Sequence, residues 1–334
     1  MRTALDAMGG DFAPAEIVAG AVRALDVLPA GDEIVLVGRR EAVARELQAL
    51  GGPFPRITIE HAEHVIGMDE VPVEALRRKP DSSISRMVDL MAGGRADAVL
   101  SAGNTGAVVA AAQMRAGRLR GVRRPGISVV VPTFHGPVVV IDVGANIKCK
   151  PVQLVQYAVM ASVYSQRVLG IGEPRVGLMS IGQEDAKGTA LVRETRSLMK
   201  EAPVNFGGNA EGRDVFNGNF DVIVCDAFVG NVLLKVIEAM AEGMFQMLAS
   251  EVAEAAPDLT ERFEPIFREV RERHDYSSYG GAPLLGINGI CIIAHGSSKA
   301  RAITSALTRA SQYATHEVNG AIEAALTPAG ELST

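Results

Sequence analysis

Tryptophan is absent from this 334-residue chain, aromatic residues make up 4% of it, and only three cysteines occur. Cys149, Cys225 and Cys291 are too scattered for a disulfide framework, and none stands in a C-x-x-C or Cys/His spacing that holds zinc. A reducing cytoplasm suits them. No apolar run reaches the roughly 18 residues that span a bilayer, and Asp6 and Asp11 interrupt the stretch a signal peptide keeps apolar. Positive charge is also short: 33 Lys and Arg against 39 Asp and Glu leave a net charge of −6. That balance argues against a nucleic-acid partner held by phosphate neutralisation. Hydrophobic content of 48%, by contrast, is ample for a core and too high for disorder.

Familiar catalytic signatures are missing as well. The chain has no GxSxG nucleophile elbow, no Walker A loop and no H-E-x-x-H. The dinucleotide fingerprint GxGxxG is absent too; Met8-Gly9-Gly10 comes nearest and lacks the spacing for a pyrophosphate. A nicotinamide enzyme of the usual kind is disfavoured, and neither a cofactor nor a metal is expected.

What is present is a repeated run of strand, polar glycine loop and helix. Residues 96–114 compress all three: Ala98, Val99 and Leu100 read as a buried strand, 107–112 as helix, with Ser101-Ala102-Gly103-Asn104-Thr105-Gly106 between them. Glycine reaches backbone angles closed to other residues, and the free N–H groups at a helix start favour an anion. The pattern recurs where 3–5 meets Asp6-Ala7-Met8-Gly9-Gly10-Asp11 and where 138–141 meets Asp142-Val143-Gly144-Ala145-Asn146. It recurs again at Ser180-Ile181-Gly182-Gln183-Glu184 ahead of Lys187-Gly188, from Cys225-Asp226 to Gly230-Asn231, and at His295-Gly296-Ser297-Ser298. With no internal repeat or linker to divide the chain, residues 1–334 read as a single α/β domain. In an open parallel sheet these strand ends lie along one edge, where ligands bind.

Other stretches read differently. Residues 205–214, NFGGNAEGRD, are too polar for a core strand, and 275–289 read as a Gly/Pro loop carrying Tyr276 and Tyr279. From Asn231 an apolar stripe of Val232, Leu233, Val236, Met240, Met244, Phe245 and Leu248 predicts a long helix, broken at Ala256-Pro257-Asp258 and followed by another over about 260–274. Residues 231–274 thus form a helical arm longer than sheet packing requires, and its surplus apolar face suits dimerisation. A helix over 300–318 closes the domain, and the tail after Leu326 reads as frayed. Arg115, Arg118, Arg120, Arg123 and Arg124 crowd together ahead of Pro125. Such density in an acidic protein marks a docking surface for an acidic partner.

Asp142, Asn146, Lys148, Lys150 and Lys187 stand near strand ends. A lysine in a glycine-rich loop neutralises a substrate anion or steadies a developing oxyanion. Such a site, with no nucleophile of its own in the sequence, suits attack by an oxyanion of the substrate, inorganic phosphate being one. Composition and spacing alone specify an anion-handling α/β enzyme.

The motifs Asp6-Ala7-Met8-Gly9-Gly10-Asp11, Ser101 to Ala107, Asp142 to Asn146, Gly230-Asn231 with Leu233-Leu234-Lys235, and Tyr279-Gly280-Gly281-Ala282-Pro283-Leu284-Leu285-Gly286 through His295-Gly296-Ser297-Ser298 are collinear over nearly the whole chain. Together they resemble the bacterial phosphate acyltransferase family, the acyl-acyl-carrier-protein:phosphate acyltransferases of phospholipid synthesis. The resemblance implies a doubly wound α/β/α sandwich related to the isocitrate and isopropylmalate dehydrogenases and to phosphotransacetylases. It also implies a homodimer built through the helical arm, and a cytoplasmic location with loose membrane association. Long-chain acyl-acyl carrier protein and inorganic phosphate would be the substrates, and the acyl phosphate would pass to a membrane glycerol-3-phosphate acyltransferase. On this reading Ser101, Gly103, Asn104, Thr105 and Gly106 hold phosphate, with Asp6, Gly9, Gly10, Asp11, Asp142 and Lys150 completing the substrate site. Lys187, with Asn146 or Asn231, stabilises the oxyanion, His295 protonates the leaving thiolate, and the arginine cluster meets the carrier protein.

Three other readings stay open at this point. A phosphotransacetylase-like enzyme would use a CoA thioester. A metal-dependent oxidoreductase on the related fold would take Asp6, Asp142 and Asp226 as ligands. A non-catalytic assembly protein would use the arm alone.

Overall fold

The central strands of the computed structural model, which describes residues 1–255, 259–274 and 279–326, are buried almost throughout, successive side chains entering opposite faces of the sheet. The first half runs β1 (Arg2–Asp6), α1 (Ala15–Ala24), β2 (Glu33–Gly38), α2 (Arg40–Ala49), β3 (Ile57–His61), α3 (Pro72–Arg78), α4 (Ser83–Ala92), β4 (Ala98–Ser101) and α5 (Thr105–Ala111). A π-helical turn at Ala112–Ala116 leads into β5 (Gly126–Thr133), β6 (Gly136–Ile141), α6 (Pro151–Leu169), β7 (Arg175–Met179), α7 (Ala190–Met199), β8 (Asn205–Ala210) and β9 (Val222–Val224). The chain continues through α8 (Ala227–Ala255), α9 (Thr260–His274), β10 (Ala282–Leu285), β11 (Ile290–Ile293), α10 (Ala300–Thr315) and α11 (Val318–Leu326).

All the strands join one 11-stranded sheet in the order β3-β2-β1-β4-β11-β10-β5-β6-β9-β7-β8. Helices cover both faces, as in a doubly wound sandwich. Leu5, Leu100 and Ile292 bury against α1, α6 and α10 on one face. Ala4, Val99 and Ile293 bury against α3, α4 and α5 on the other.

The sheet is not parallel throughout. β10 pairs antiparallel with β11 and β5, and β5 with β6. Strands β1 to β5 and β11 therefore run one way and β6 to β10 the other. The glycine-rich strand ends do not share one edge: the loops after β1, β4 and β11 leave from one side, those after β6, β7 and β9 from the opposite side. Two further readings need correction. Asn205–Ala210 is a strand after all, because β8 lies at the sheet edge where polar residues meet solvent. Within 275–289, Ala282–Leu285 forms β10 in the centre of the sheet, since its partners on both sides supply the backbone hydrogen bonds. The expected helix over 300–318 divides where Glu317 takes a positive φ of 49°.

Helix α8 starts earlier than its apolar stripe suggests, because Asp226 Oδ1 accepts the N–H groups of Phe228 and Val229, both at 3.0 Å. Leu233, Leu234 and Ile237 seat its first turns near Val129, Val131, Val140 and Val143. Beyond them Met240, Met244 and Met247 are 52–60% exposed. The break expected at Ala256-Pro257-Asp258, Tyr276 and the tail after Leu326 lie outside the described residues. Among the described residues no helix is long and apolar enough to cross a membrane.

Candidate active site

The loops after β1, β4 and β11 hold one another in place. The Asp6 carboxylate accepts the Ser101 hydroxyl at 2.7 Å and the Met8 N–H at 3.1 Å. Burial raises the Asp6 pKa, and these donors offset part of the rise. Gly9 permits the close approach: a Cβ there would stand 2.5 Å from Asp6 Oδ2 and 2.6 Å from the Gly103 nitrogen. The Gly296 carbonyl accepts the Asp11 N–H at 2.8 Å, which ties in the third loop. Asn104 caps α5 through Oδ1, which accepts the Ala107 N–H at 3.0 Å. Its Nδ2 donates to the carbonyls of Gly67 and Glu70, each at 3.0 Å, and of Met68 at 3.3 Å.

In the other half Asp142 does the same work. Its buried carboxylate accepts the N–H groups of Ile127, Gly144, Ala145 and Asn146 and the Asn146 side chain, all at 2.8–3.2 Å. Burial raises its pKa against these donors. Asn146 Nδ2 donates further to the Pro125 carbonyl at 2.7 Å and the Tyr157 hydroxyl at 2.9 Å. Gly230 then lays the first turn of α8 directly on the Asp142 carbonyl, where a Cβ has no room.

Between the two halves, over β5, β10 and β11, lies a cavity of about 530 Å³. Ile127, Val129, Val143, Ala282 and Ile293 form its apolar wall. Met68, Ile147 and Phe228 also line it while 55%, 71% and 64% exposed, so they stand at its mouth. Polar groups come from Asp11, Thr105, Asn231, Lys235, Glu238, His295 and Ser298. Helix α8 supplies Asn231, Leu234, Lys235 and Glu238 from a single face, as their helical spacing requires.

Lys235 Nζ donates to Glu238 Oε2 at 2.8 Å and stands 3.5 Å from His295 Nε2. The Ser297 N–H and hydroxyl both reach His295 Nδ1, at 3.2 and 2.7 Å. Lys235 Nζ and His295 Nε2 thus face a shared space, where the ammonium suits an oxyanion. No thiol is poised to compete as nucleophile. Burial, reinforced by Asp142 and Asp226, pushes Cys149 to about 11, and burial alone lifts Cys291 to about 12. Cys225 is raised well above the usual thiol range by burial.

Of the residues singled out in the sequence, Asp11, Thr105, Gly106, Asn231 and His295 line the cavity. Asp6, Gly9, Gly10, Ser101 and Gly103 build the loops behind it. The side chains of Asn104, Asp142 and Asn146 are occupied by the hydrogen bonds described, so they position loops instead of presenting free groups to a ligand. Lys150 and Lys187 are exposed and do not line the cavity. Arg115 pairs with Asp89 at 2.5 Å and leaves the cluster, whereas Arg118, Arg120, Arg123 and Arg124 are exposed. Asp6, Asp142 and Asp226 each serve their own loop, and among the described residues no group of three or more His, Cys, Asp or Glu is placed to hold a metal ion. Sequence reasoning assigned no role to Lys235, Glu238 or Ser298. The three- and four-residue spacing from Asn231 was the available signal for the first two.

The sequence profile of the fatty acid synthesis protein family matches residues 1–320. Curated relatives include a phosphate acyltransferase from Nostoc sp., 47% identical over 323 residues and covering 95% of this chain and 94% of that protein. Another, from Heliobacterium modesticaldum, is 48% identical and covers 93% of each chain. A phosphotransacetylase from Streptococcus pyogenes superposes with a TM-score of 0.66 at 16% identity, covering 94% of both chains. A 4-hydroxythreonine-4-phosphate dehydrogenase from Klebsiella pneumoniae gives 0.53 at 15% identity, covering 94% of this chain and 98% of that one. These two share the doubly wound α/β fold. A profile match over nearly the whole length, with relatives at close to half identity, places this chain in the fatty acid synthesis protein family, as its glycine-loop motifs implied.

Proposed function

We propose that the protein transfers a long-chain acyl group from acyl-acyl carrier protein to inorganic phosphate. The observation that supports this most is the amphipathic cavity, with an apolar wall beside Lys235 and His295. The acyl chain lies along Ile127, Val129, Val143 and Ile293. Phosphate sits at Lys235, Asn231 and Thr105, and one of its oxygens attacks the thioester carbonyl. The tetrahedral oxyanion is held by the same donors. As the C–S bond breaks, His295 passes to the leaving thiolate the proton that phosphate loses on attack. The products are acyl phosphate and free carrier protein. A cytoplasmic enzyme of this kind hands its product to a membrane glycerol-3-phosphate acyltransferase.

The test is hydroxylamine trapping of acyl phosphate from purified protein and long-chain acyl-acyl carrier protein, with and without phosphate. Phosphate-dependent hydroxamate is expected, and intact thioester after long incubation would refute the reading. Parallel reactions with acyl-CoA address the phosphotransacetylase-like alternative, which predicts faster turnover of that thioester.

The carrier protein docks on Arg118, Arg120, Arg123 and Arg124. Pro125, next in sequence, accepts the Asn146 side chain at 2.7 Å, close to the Gly144 and Ile147 rim of the cavity. Reversing these four charges to Glu is expected to raise the KM for acyl-acyl carrier protein at least about tenfold at low salt, with the gap closing as salt rises. An unchanged KM rejects the surface.

The exposed face of α8 forms the homodimer interface. Met240→Glu with Met244→Glu is expected to shift sedimentation from dimer to monomer; a monomeric parent protein would defeat this idea outright.

A further inference from the structure

Glu238 is the feature of the cavity that an anion site does not call for. It stands one turn beyond Lys235 on the cavity face of α8, and its side chain is 18% exposed. Oε2 takes the Lys235 ammonium at 2.8 Å. Oε1 is enclosed by protein without a hydrogen-bond partner, so the oxygen open to a ligand is Oε2, whose second lone pair is unused. Any oxyanion that settles on Lys235 Nζ therefore lies in contact with a carboxylate that still has acceptor capacity. A fully deprotonated anion is repelled there. An anion that carries a hydroxyl donates it to the carboxylate and satisfies both groups.

We infer that Glu238 is a specificity-determining residue that selects a protonated phosphate over sulfate by accepting the P–OH hydrogen. This rests on the reading of phosphate as the acyl acceptor. At neutral pH phosphate keeps at least one hydroxyl, whereas sulfate has none to offer. Its tetrahedral shape and charge otherwise make sulfate a close mimic for Lys235, Asn231 and His295. The other charged or titratable groups lining the cavity are Asp11 and His295, besides Lys235 itself. A hydrogen bond to a charged acceptor distinguishes ligands by roughly 10- to 100-fold, so the preference for phosphate over sulfate should be of that order.

The experiment measures equilibrium binding of radiolabelled inorganic phosphate to the full-length protein, with sulfate as competitor, and the KM for phosphate in the acyl-phosphate assay. The parent protein is expected to bind phosphate about 10- to 100-fold more tightly than sulfate. Glu238→Gln, which turns an acceptor-only group into one that also donates, is expected to bring the two affinities within about threefold of each other. Glu238→Asp, which keeps the carboxylate, should retain a preference for phosphate and guards against a folding artefact. Glu238→Gln that keeps the parental selectivity overturns the inference. So does a parent protein that binds the two anions equally, and the proposed reaction would survive that result. Absence of phosphate binding by the parent protein would instead remove the functional reading itself.

Discussion

Lys235→Ala is expected to lower kcat/KM for phosphate by about 100- to 1000-fold, the usual effect of removing one donor from a developing oxyanion. Lys235 is the only cationic Lys or Arg side chain lining the cavity among the described residues. Its ammonium is held beside His295 Nε2 by Glu238, so it needs no rearrangement as charge builds on the substrate. The pair is half exposed at Lys235, with the side chain at 53%. Stability should therefore change by no more than about 1 kcal/mol. Steady-state kinetics with varied phosphate, alongside urea unfolding, separates the two effects. A variant within about threefold of the parent would show that the oxyanion is held elsewhere, with Lys187 the next residue to examine.

Asp142→Asn is expected to destabilise the fold by about 1–3 kcal/mol, because a carboxamide accepts with one end only. Five N–H donors converge on the two carboxylate oxygens. With an NH₂ group in place of Oδ2, the Asn146 backbone N–H loses its acceptor inside the core, while the Asn146 side chain keeps Pro125 and Tyr157. The loop carries the seat of α8, since Ala227 N–H donates to the Asn146 carbonyl at 3.1 Å and Gly230 packs on Asp142. Loss of stability should thus be accompanied by loss of the cavity wall. Urea unfolding and hydroxamate formation are the readouts, and a drop of less than about 1 kcal/mol would contradict the argument. Its pH dependence has a defined sign. Burial raises the Asp142 pKa in the folded state, so the folded chain binds more protons than the unfolded one. This contribution is complete below about pH 4, the ordinary aspartate value, and is lost as pH rises through the folded-state value. The Asn variant lacks that slope.

The glycine loops show how far sequence reasoning reaches. Asp6-Ala7-Met8-Gly9-Gly10-Asp11 and 101–106 are recognisable as site-forming turns because glycine and short polar residues mark them whatever surrounds them. Whether a particular side chain in such a turn faces a ligand is a different matter. Asn104 looks like a phosphate ligand in sequence, yet its carboxamide is spent on carbonyls at Gly67, Met68 and Glu70. Those partners lie more than thirty residues away, and no local pattern announces them. Asn146 is misjudged for the same reason, through Pro125 and Tyr157. Lys187 has the right chemistry on a loop that opens to solvent. Lys235, meanwhile, sits inside a helix whose apolar stripe drew attention to packing and away from its polar face.

The amino-acid sequence by itself determined the βα units, the tight glycine turns, the long α8–α9 arm and the family. Each of these is written in local periodicity, in backbone freedom or in collinear motifs. Only the tertiary structure decided that the two halves of the sheet run in opposite directions. That reversal is set by the hairpin of β5 and β6 and by β10, which pair through backbone groups that every residue carries. It draws Thr105 and His295 from one half and Asn231 and Lys235 from the other around a single cavity. Which side chains meet there depends on contacts between distant segments, and chain order alone does not encode them in readable form.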